Sequence, residues 1–401
     1  MSVPLDRLYH YLVDIVNQDL LIYRWLPHGS RKLEDLTPLN NYTRNECFDQ
    51  LVVICHDQEP LNYDFYSQTQ IRDLFKSQLI EYNQWPLLKD SVLDYVAGLH
   101  LRTRTPWANQ YDLSILLHSE QHSPQIELFQ QKGFVPVYYW SHALIAHEWF
   151  RYAEHDPKLE FDIVNIKQDF LVYNRAWSGT REYRLYFAEQ LVTQQLLDHT
   201  QICFNPVDEQ HYTHHKFKNS TLQINNHALE QYFSPTLVDA TASADYNNND
   251  YANTGIEVVL ETLFDDNRWH LTEKTLRPIA CGKPFILAAT PSSLEYLRTY
   301  GFETFAGLID ESYDLITDSQ SRLHAIVQEM KRIAALDADA KQVLYTKLHE
   351  IAQRNKQRFF NGLLDQVIKE YKTNLNHAMT IMNQNCTGKH RTAIRQLLQQ
   401  N

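Results

Sequence analysis

The sequence predicts an α/β fold built from two successive parallel-sheet domains and a closing helical segment. Three observations lead there. Short, continuous apolar runs alternate with amphipathic stretches of helical period, as strands buried on both faces and their crossover helices do. The alternation breaks near His155-Asp156-Pro157 and then restarts. From about Thr317 onward the chain has no strand-like runs and becomes rich in Lys, Gln and Leu. Domains are therefore expected over residues 1–160 and 161–316, with helices over 317–401 packing back on them, a division that suits a chain of 401 residues.

Taken in order, Leu51–Cys55 reads as a buried strand that stops in His56-Asp57-Gln58-Glu59-Pro60, where the proline cannot continue a ladder. Leu113–Leu117 is a second run and ends in His118-Ser119-Glu120-Gln121-His122. Val135–Trp140 is a third, with Ser141 placed to cap a helix over Ala143–Glu154. In the second half, Phe170–Tyr173 reads as a strand, Arg181–Leu197 as a helix and Gln201–Phe204 as the next strand. Residues 239–254 form a long polar loop, a length usually tied to function or disorder. Ile256–Thr262 is a strand. Thr272-Glu273-Lys274-Thr275 opens a helix to Cys281, closed by Gly282, and Pro284–Ala288 is a further strand. The two halves are expected to be Rossmann-like, with ligands at the carboxyl ends of their strands.

Composition narrows the partners. The formal charge is −12 and no Lys/Arg block appears, so bulk charge gives no support for a nucleic-acid partner. Lys216, Lys218, Arg102 and Arg104 are too few to make a basic stripe. The five cysteines show no metal or redox spacing, which fits a reducing compartment. The first twenty residues lack the charged and apolar regions of a secretion signal, and no run approaches the ~20 apolar residues of a membrane span. A cytoplasmic chain with no membrane partner is expected. His118 and His122 are four apart but follow a strand and form no metal-ligand motif; His142 and His147 read as packed or capping residues, so no metal site is expected. With ten glycines and no Gly-rich phosphate loop, any phosphate must be held by Arg, Lys and helix N-termini.

Leu260–Phe305 joins a strand, the Thr272-Glu273-Lys274 helix start, Gly282-Lys283-Pro284 and a second strand. This block resembles the donor-binding motif of fucosyltransferase-like glycosyltransferases of the GT-B type. The resemblance implies Glu273 on the donor ribose and Lys274 beside the pyrophosphate, with Thr272 at the helix start. The physics agrees: a helix N-terminus favours a diphosphate, and a carboxylate can accept from both ribose hydroxyls. Read without it, Thr272 is an ordinary cap and Glu273 complements the dipole. A second block, Tyr173–Leu185, is similar to the family's segment at the start of the donor domain. Arg181 and Arg184 lie three apart on one helical face there, and Arg175 precedes them; a guanidinium fork suits the oxygens of a departing nucleoside diphosphate. Pairing with Glu182 or Glu189 is the structural alternative.

The first half departs from that family. Its catalytic carboxylate would be Asp57 or Glu59 at one strand end, or Glu120 at the other. Inverting transfer needs such a base to take the acceptor proton, and retaining transfer does not need it in the same place. The blocks at 56–61, 138–146, 176–184 and 272–275 together are similar to glycosyltransferases of large tailed bacteriophages. That resemblance implies a nucleotide-sugar co-substrate such as a UDP-sugar, no other cofactor, and a hydroxyl acceptor. One implied acceptor is a hydroxymethylated cytosine-type base in phage DNA, carrying glucose, arabinose or another pentose; a glycan is the other. A catalytically silent nucleotide- or carbohydrate-binding protein of the same architecture, or an interaction protein docking through its helical tail, are the competing readings. The oligomeric state is not encoded in any of these features.

Overall fold

The computed structural model describes residues 20–24, 51–56, 60–61, 114–131, 134–160, 162–175, 181, 183–205 and 245–385. The chain divides into two compact units, Met1–Leu144 with Val367–Asn401, and Ile145–Gln366. Among the described residues each carries a four-stranded sheet in which every strand pair is parallel, so both are α/β.

In the first unit the strands are β1 (Leu20–Arg24), β2 (Leu51–His56), β3 (Ser114–His118) and β4 (Phe134–Tyr138), in the order β1-β2-β3-β4. Their register brings His56 beside His118 and His118 beside Tyr138. Pro136, which has no N–H to give a ladder, sits on β4 at the end of this order. Helix α1 (Pro124–Gln131) crosses from β3 to β4 and buries Phe129 edge-on against Phe134, ring centres 5.8 Å apart. The helix expected over Ala143–Glu154 is instead α2 (Ser141–Trp149) followed by a 3-10 turn, Arg151–His155. The break falls at Phe150, whose side chain is fully buried and whose φ/ψ of −100°/15° has left the helix.

The second unit contains β5 (Gln168–Arg175), α3 (Tyr183–Thr193), β6 (Thr200–Asn205), α4 (Asn248–Asn253), β7 (Thr254–Leu260), α5 (Glu273–Cys281), β8 (Phe285–Ala288), α6 (Ser293–Thr299), α7 (Ser319–Ala334) and α8 (Ala338–Phe360). Strand order is β6-β5-β7-β8. The chain thus moves to one side of β5 for β6 and to the other side for β7. The crevice beyond the carboxyl ends of β5 and β7 is the topological switch point, where open parallel sheets bind ligands.

Several sequence expectations shift in detail. Helix α3 stops at Thr193 because Gln195 takes a left-handed φ of 59°. Residues 239–244 of the expected polar loop lie outside the described residues, and its end is the helix α4, whose N-terminus Asn247 caps by accepting from Asn249 N and Asp250 N. Among the described residues three helices follow Thr317: α7, α8 and α9 (Leu363–Asn385). In the first unit, α9 sets Tyr371 against Tyr139, ring centres 5.1 Å apart, and Asn374 Nδ2 donates to Tyr138 O at 2.8 Å. Among the described residues no helix is long and apolar enough to cross a membrane.

Helix α8 lies against the amino-end side of the second sheet. Gly255, in β7, permits this: a Cβ there would meet the Tyr345 ring at 2.7 Å and Asp169 O at 2.9 Å. Asp169 accepts from Tyr345 Oη, Lys341 Nζ and His199 Nδ1. Nearby, Glu257 pairs with Arg277 at 2.6 Å, both buried, and also accepts from Tyr251 Oη. Lys283 Nζ donates to Tyr251 O at 2.7 Å and to Thr254 O, which anchors the end of α4. Burial pushes the Lys283 amine down to about 7.

Candidate functional site

The site is built at the carboxyl end of β7. All seven residues of that strand are buried, and the chain leaves it through Glu261 and Thr262. Glu261 is wholly buried. Its Oε1 accepts from Thr272 N at 2.9 Å and Thr275 Oγ1 at 2.5 Å, and its Oε2 from Thr262 N at 2.9 Å and Thr272 Oγ1 at 2.8 Å. One carboxylate therefore fastens the strand end to the first turn of α5. The intervening loop is fixed too. Thr290 Oγ1 donates to Arg268 O, Trp269 Nε1 to Pro291 O, and the buried Arg322 to Phe264 O and Ala289 O.

Helix α5 begins as the sequence implies. Thr272 is its N-cap and accepts from Lys274 N at 3.3 Å; Gly282, at a φ of 67°, closes it in the left-handed conformation that glycine adopts without a Cβ penalty. Glu273 and Lys274 are its first two residues. Lys274 Nζ donates to Glu273 Oε1 at 2.8 Å, to Thr272 Oγ1 at 3.3 Å and to Thr262 Oγ1 at 3.5 Å. Glu273, Lys274 and Thr272 are thus brought together over the end of β7, with Lys274 the most exposed of the three at 22% of its side chain. The arrangement offers a cation, a carboxylate and two hydroxyls at the positive end of a helix dipole.

The arginines are placed differently from one another. Arg175 is the last residue of β5, and residues 176–180 lie outside the described residues. Arg181 stands in the turn before α3 and its carbonyl accepts from Arg184 N at 3.0 Å. Arg184, almost wholly buried, turns inward: Nη2 donates to Leu260 O at 2.6 Å and Glu261 O at 2.9 Å, while Asn174 Nδ2 holds the Arg184 carbonyl. Tyr183 Oη joins it on Glu261 O at 2.6 Å. Burial pushes that phenol up to about 12, opposed by Arg184 and Arg181, so it stays a donor. Arg184 and Glu273-Lys274 are thereby linked through Glu261.

In the first unit, Glu120 follows β3 and is 1% exposed, with Leu61 N donating to Oε1 at 2.5 Å. His118, Ser119, Ser141 and His142 are buried around the same carboxyl ends of β3 and β4. Asp57 and Glu59 lie outside the described residues, as do Lys216, Lys218, Arg102 and Arg104. Among the described residues no three His, Cys, Asp or Glu side chains gather as a metal site would require.

Sequence reasoning missed Glu261, Thr275 and Tyr183. The available signal was a carboxylate placed directly after the apolar run Val258–Leu260, with threonines at 262, 272 and 275 to receive it. Comparison of the chain with protein-family models, with curated proteins and with solved structures finds no match.

Proposed function

We propose that the chain is a glycosyltransferase of GT-B type, whose second unit binds a nucleotide-sugar donor and whose first unit receives a hydroxyl acceptor. The observation that carries this reading is the Glu273–Lys274 pair on the first turn of α5, at the carboxyl end of β7 beside the switch point. A diphosphate placed there meets the Lys274 ammonium and the positive end of the helix dipole, and the Glu273 carboxylate accepts from a ribose diol. Arg181 and Arg175, which flank the end of β5, are the further cations for the departing diphosphate. Thr272 fixes the turn. Arg184 supports the strand end instead of facing the phosphates.

In the transfer itself the acceptor oxygen attacks the anomeric carbon, the bond to the diphosphate breaks, and the acceptor proton goes to a base. Glu120, Asp57 and Glu59 are the candidate bases. The resemblance to phage glycosyltransferases makes hydroxymethylated cytosine-type DNA the first acceptor to try, with glycans the second. No metal or other cofactor is assigned a role. The test is release of nucleoside diphosphate from UDP-, GDP-, dTDP- and CMP-sugars, with and without hydroxymethylated DNA or a glycan panel. Acceptor-dependent release supports the proposal.

One observation favours a second reading, a nucleotide- or carbohydrate-binding protein without turnover. Glu120 is 1% exposed and engaged by Leu61 N, so its carboxylate does not stand open to an incoming hydroxyl. Donor binding without release in the presence of any acceptor would select this reading.

A further inference from the structure

We propose that Glu261, held in place by Thr275, is a positioning residue for Lys274, acting through Thr272 without touching the ligand. The inference rests on the donor-site reading above and names what sets that site's geometry.

The argument starts with hydrogens. Both Glu261 oxygens only accept, and Thr272 Oγ1 is 2.8 Å from Oε2. The Thr272 hydroxyl must therefore point its single hydrogen at Glu261. Its lone pairs are then turned toward Lys274, and both Lys274 N and Lys274 Nζ donate to that oxygen at 3.3 Å. Without the carboxylate the hydroxyl is free to rotate, and its hydrogen would meet the ammonium. Thr275 Oγ1, wholly buried, gives its own hydrogen to Oε1 and keeps the carboxylate plane fixed. On the other side, Arg184 and Tyr183 hold the Glu261 carbonyl from α3. A continuous chain of contacts thus runs from Asn174 through Arg184, Glu261 and Thr272 to Lys274. It joins the segment after β5 to the segment after β7 across the switch point.

Neither Glu261 nor Thr275 has surface to offer a ligand, so an effect of changing them on binding passes through the groups they hold, Thr272 and Thr262, to Lys274. The test uses the full chain with Glu261→Gln, Thr275→Val and Thr275→Ser. Affinity for UDP, GDP and inorganic pyrophosphate is measured by calorimetry, together with amide hydrogen exchange over residues 261–276. Glu261→Gln and Thr275→Val are expected to weaken the bound diphosphate by about tenfold and to speed exchange at the Lys274 amide, while Thr275→Ser, which keeps the hydroxyl, behaves as the parent does. Unchanged affinity in folded Glu261→Gln and Thr275→Val would overturn the proposal. If the parent chain binds none of the three probes, the donor reading fails, and exchange alone decides the positioning claim: faster exchange at Lys274 supports it and unchanged exchange overturns it. Should Glu261→Gln not fold, the Thr275 pair carries the same test.

Discussion

Lys274 Nζ lies 2.8 Å from Glu273 Oε1, although the two residues are adjacent on a helix. Neighbours one apart do not normally face each other on a helical surface. They meet here because both stand in the first turn of α5 and bend over its open end, above Thr262 and Thr272. The two charges pair with one another. A ligand carrying a diphosphate and a diol would separate them and give each a new partner.

That separation predicts an asymmetry. Glu273→Gln removes the carboxylate from the diol but leaves Lys274 for the phosphates. Affinity for a nucleoside diphosphate is expected to fall by about tenfold, while affinity for inorganic pyrophosphate holds or rises. Titration calorimetry with both ligands checks this. An equal loss for both would mean that Glu273 does not read the ribose.

Arg184 predicts a stability effect. Its Nη2 serves two carbonyls at the end of β7 and is almost wholly buried. Arg184→Met leaves Leu260 O without that donor and is expected to cost about 2–3 kcal/mol. Urea unfolding, with the midpoint lowered and the slope unchanged, is the measurement. A loss below about 0.5 kcal/mol would show that the carbonyls find other donors.

How much of this could be read from the sequence follows from the range of the interactions. The strand–helix–strand block around Glu273 was legible because its signals are local: an apolar run, a threonine cap, a left-handed glycine and a second apolar run. Arg184 was legible as a cation but not as to its direction, since its partners Leu260 and Glu261 are 76 and 77 residues away. Glu261 looked like the end of a strand for the same reason. Helix α4 was hidden by poor intrinsic propensity: an Asn-rich segment reads as loop, and its order comes from the Asn247 cap and from Tyr251 held by Glu257 and Lys283. Asp57 and Glu59 lie outside the described residues, and among the candidate bases Glu120 is the one whose surroundings are described.

Lys283 gives a pH dependence with a definite sign. Its folded-state value, about 7, is below the ordinary 10.5, so the folded chain binds this proton less well than the unfolded chain does. The stability tied to the neutral amine is complete above the unfolded value and is lost as pH falls through 7. Lys283→Met removes the hydrogen bonds to Tyr251 O and Thr254 O at every pH but also removes this titration. The variant's deficit relative to the parent chain is expected to be largest near pH 9–10 and to shrink toward pH 6, by at most about 1.4 kcal/mol per pH unit. Chemical denaturation across that range tests it, and a deficit independent of pH would contradict it.

Asp314 titrates with the opposite sign. Burial raises its carboxyl from 3.8 to about 6, while its Oδ2 accepts from Leu294 N at 3.1 Å at the start of α6. The stability tied to the protonated form is complete below the unfolded value and is lost as pH rises through about 6. Asp314→Asn keeps a side-chain oxygen for Leu294 N and has no charge to desolvate. It is expected to equal or exceed the parent chain in stability at pH 7–8 and to flatten the pH dependence between 4 and 6. Thermal unfolding at fixed ionic strength measures both, and a less stable Asn variant at pH 8 would count against the assignment.

The central claim is that Lys274 and its helix start hold a nucleotide-sugar diphosphate. Its most direct test is a thermal-shift and calorimetric screen of UDP-, GDP-, dTDP- and CMP-sugars against the parent chain and Lys274→Ala side by side. The account predicts that at least one of these donors stabilises the parent chain and that the stabilisation disappears in the variant while the variant's own fold persists. Equal stabilisation of both chains, or of neither by any donor, would contradict it.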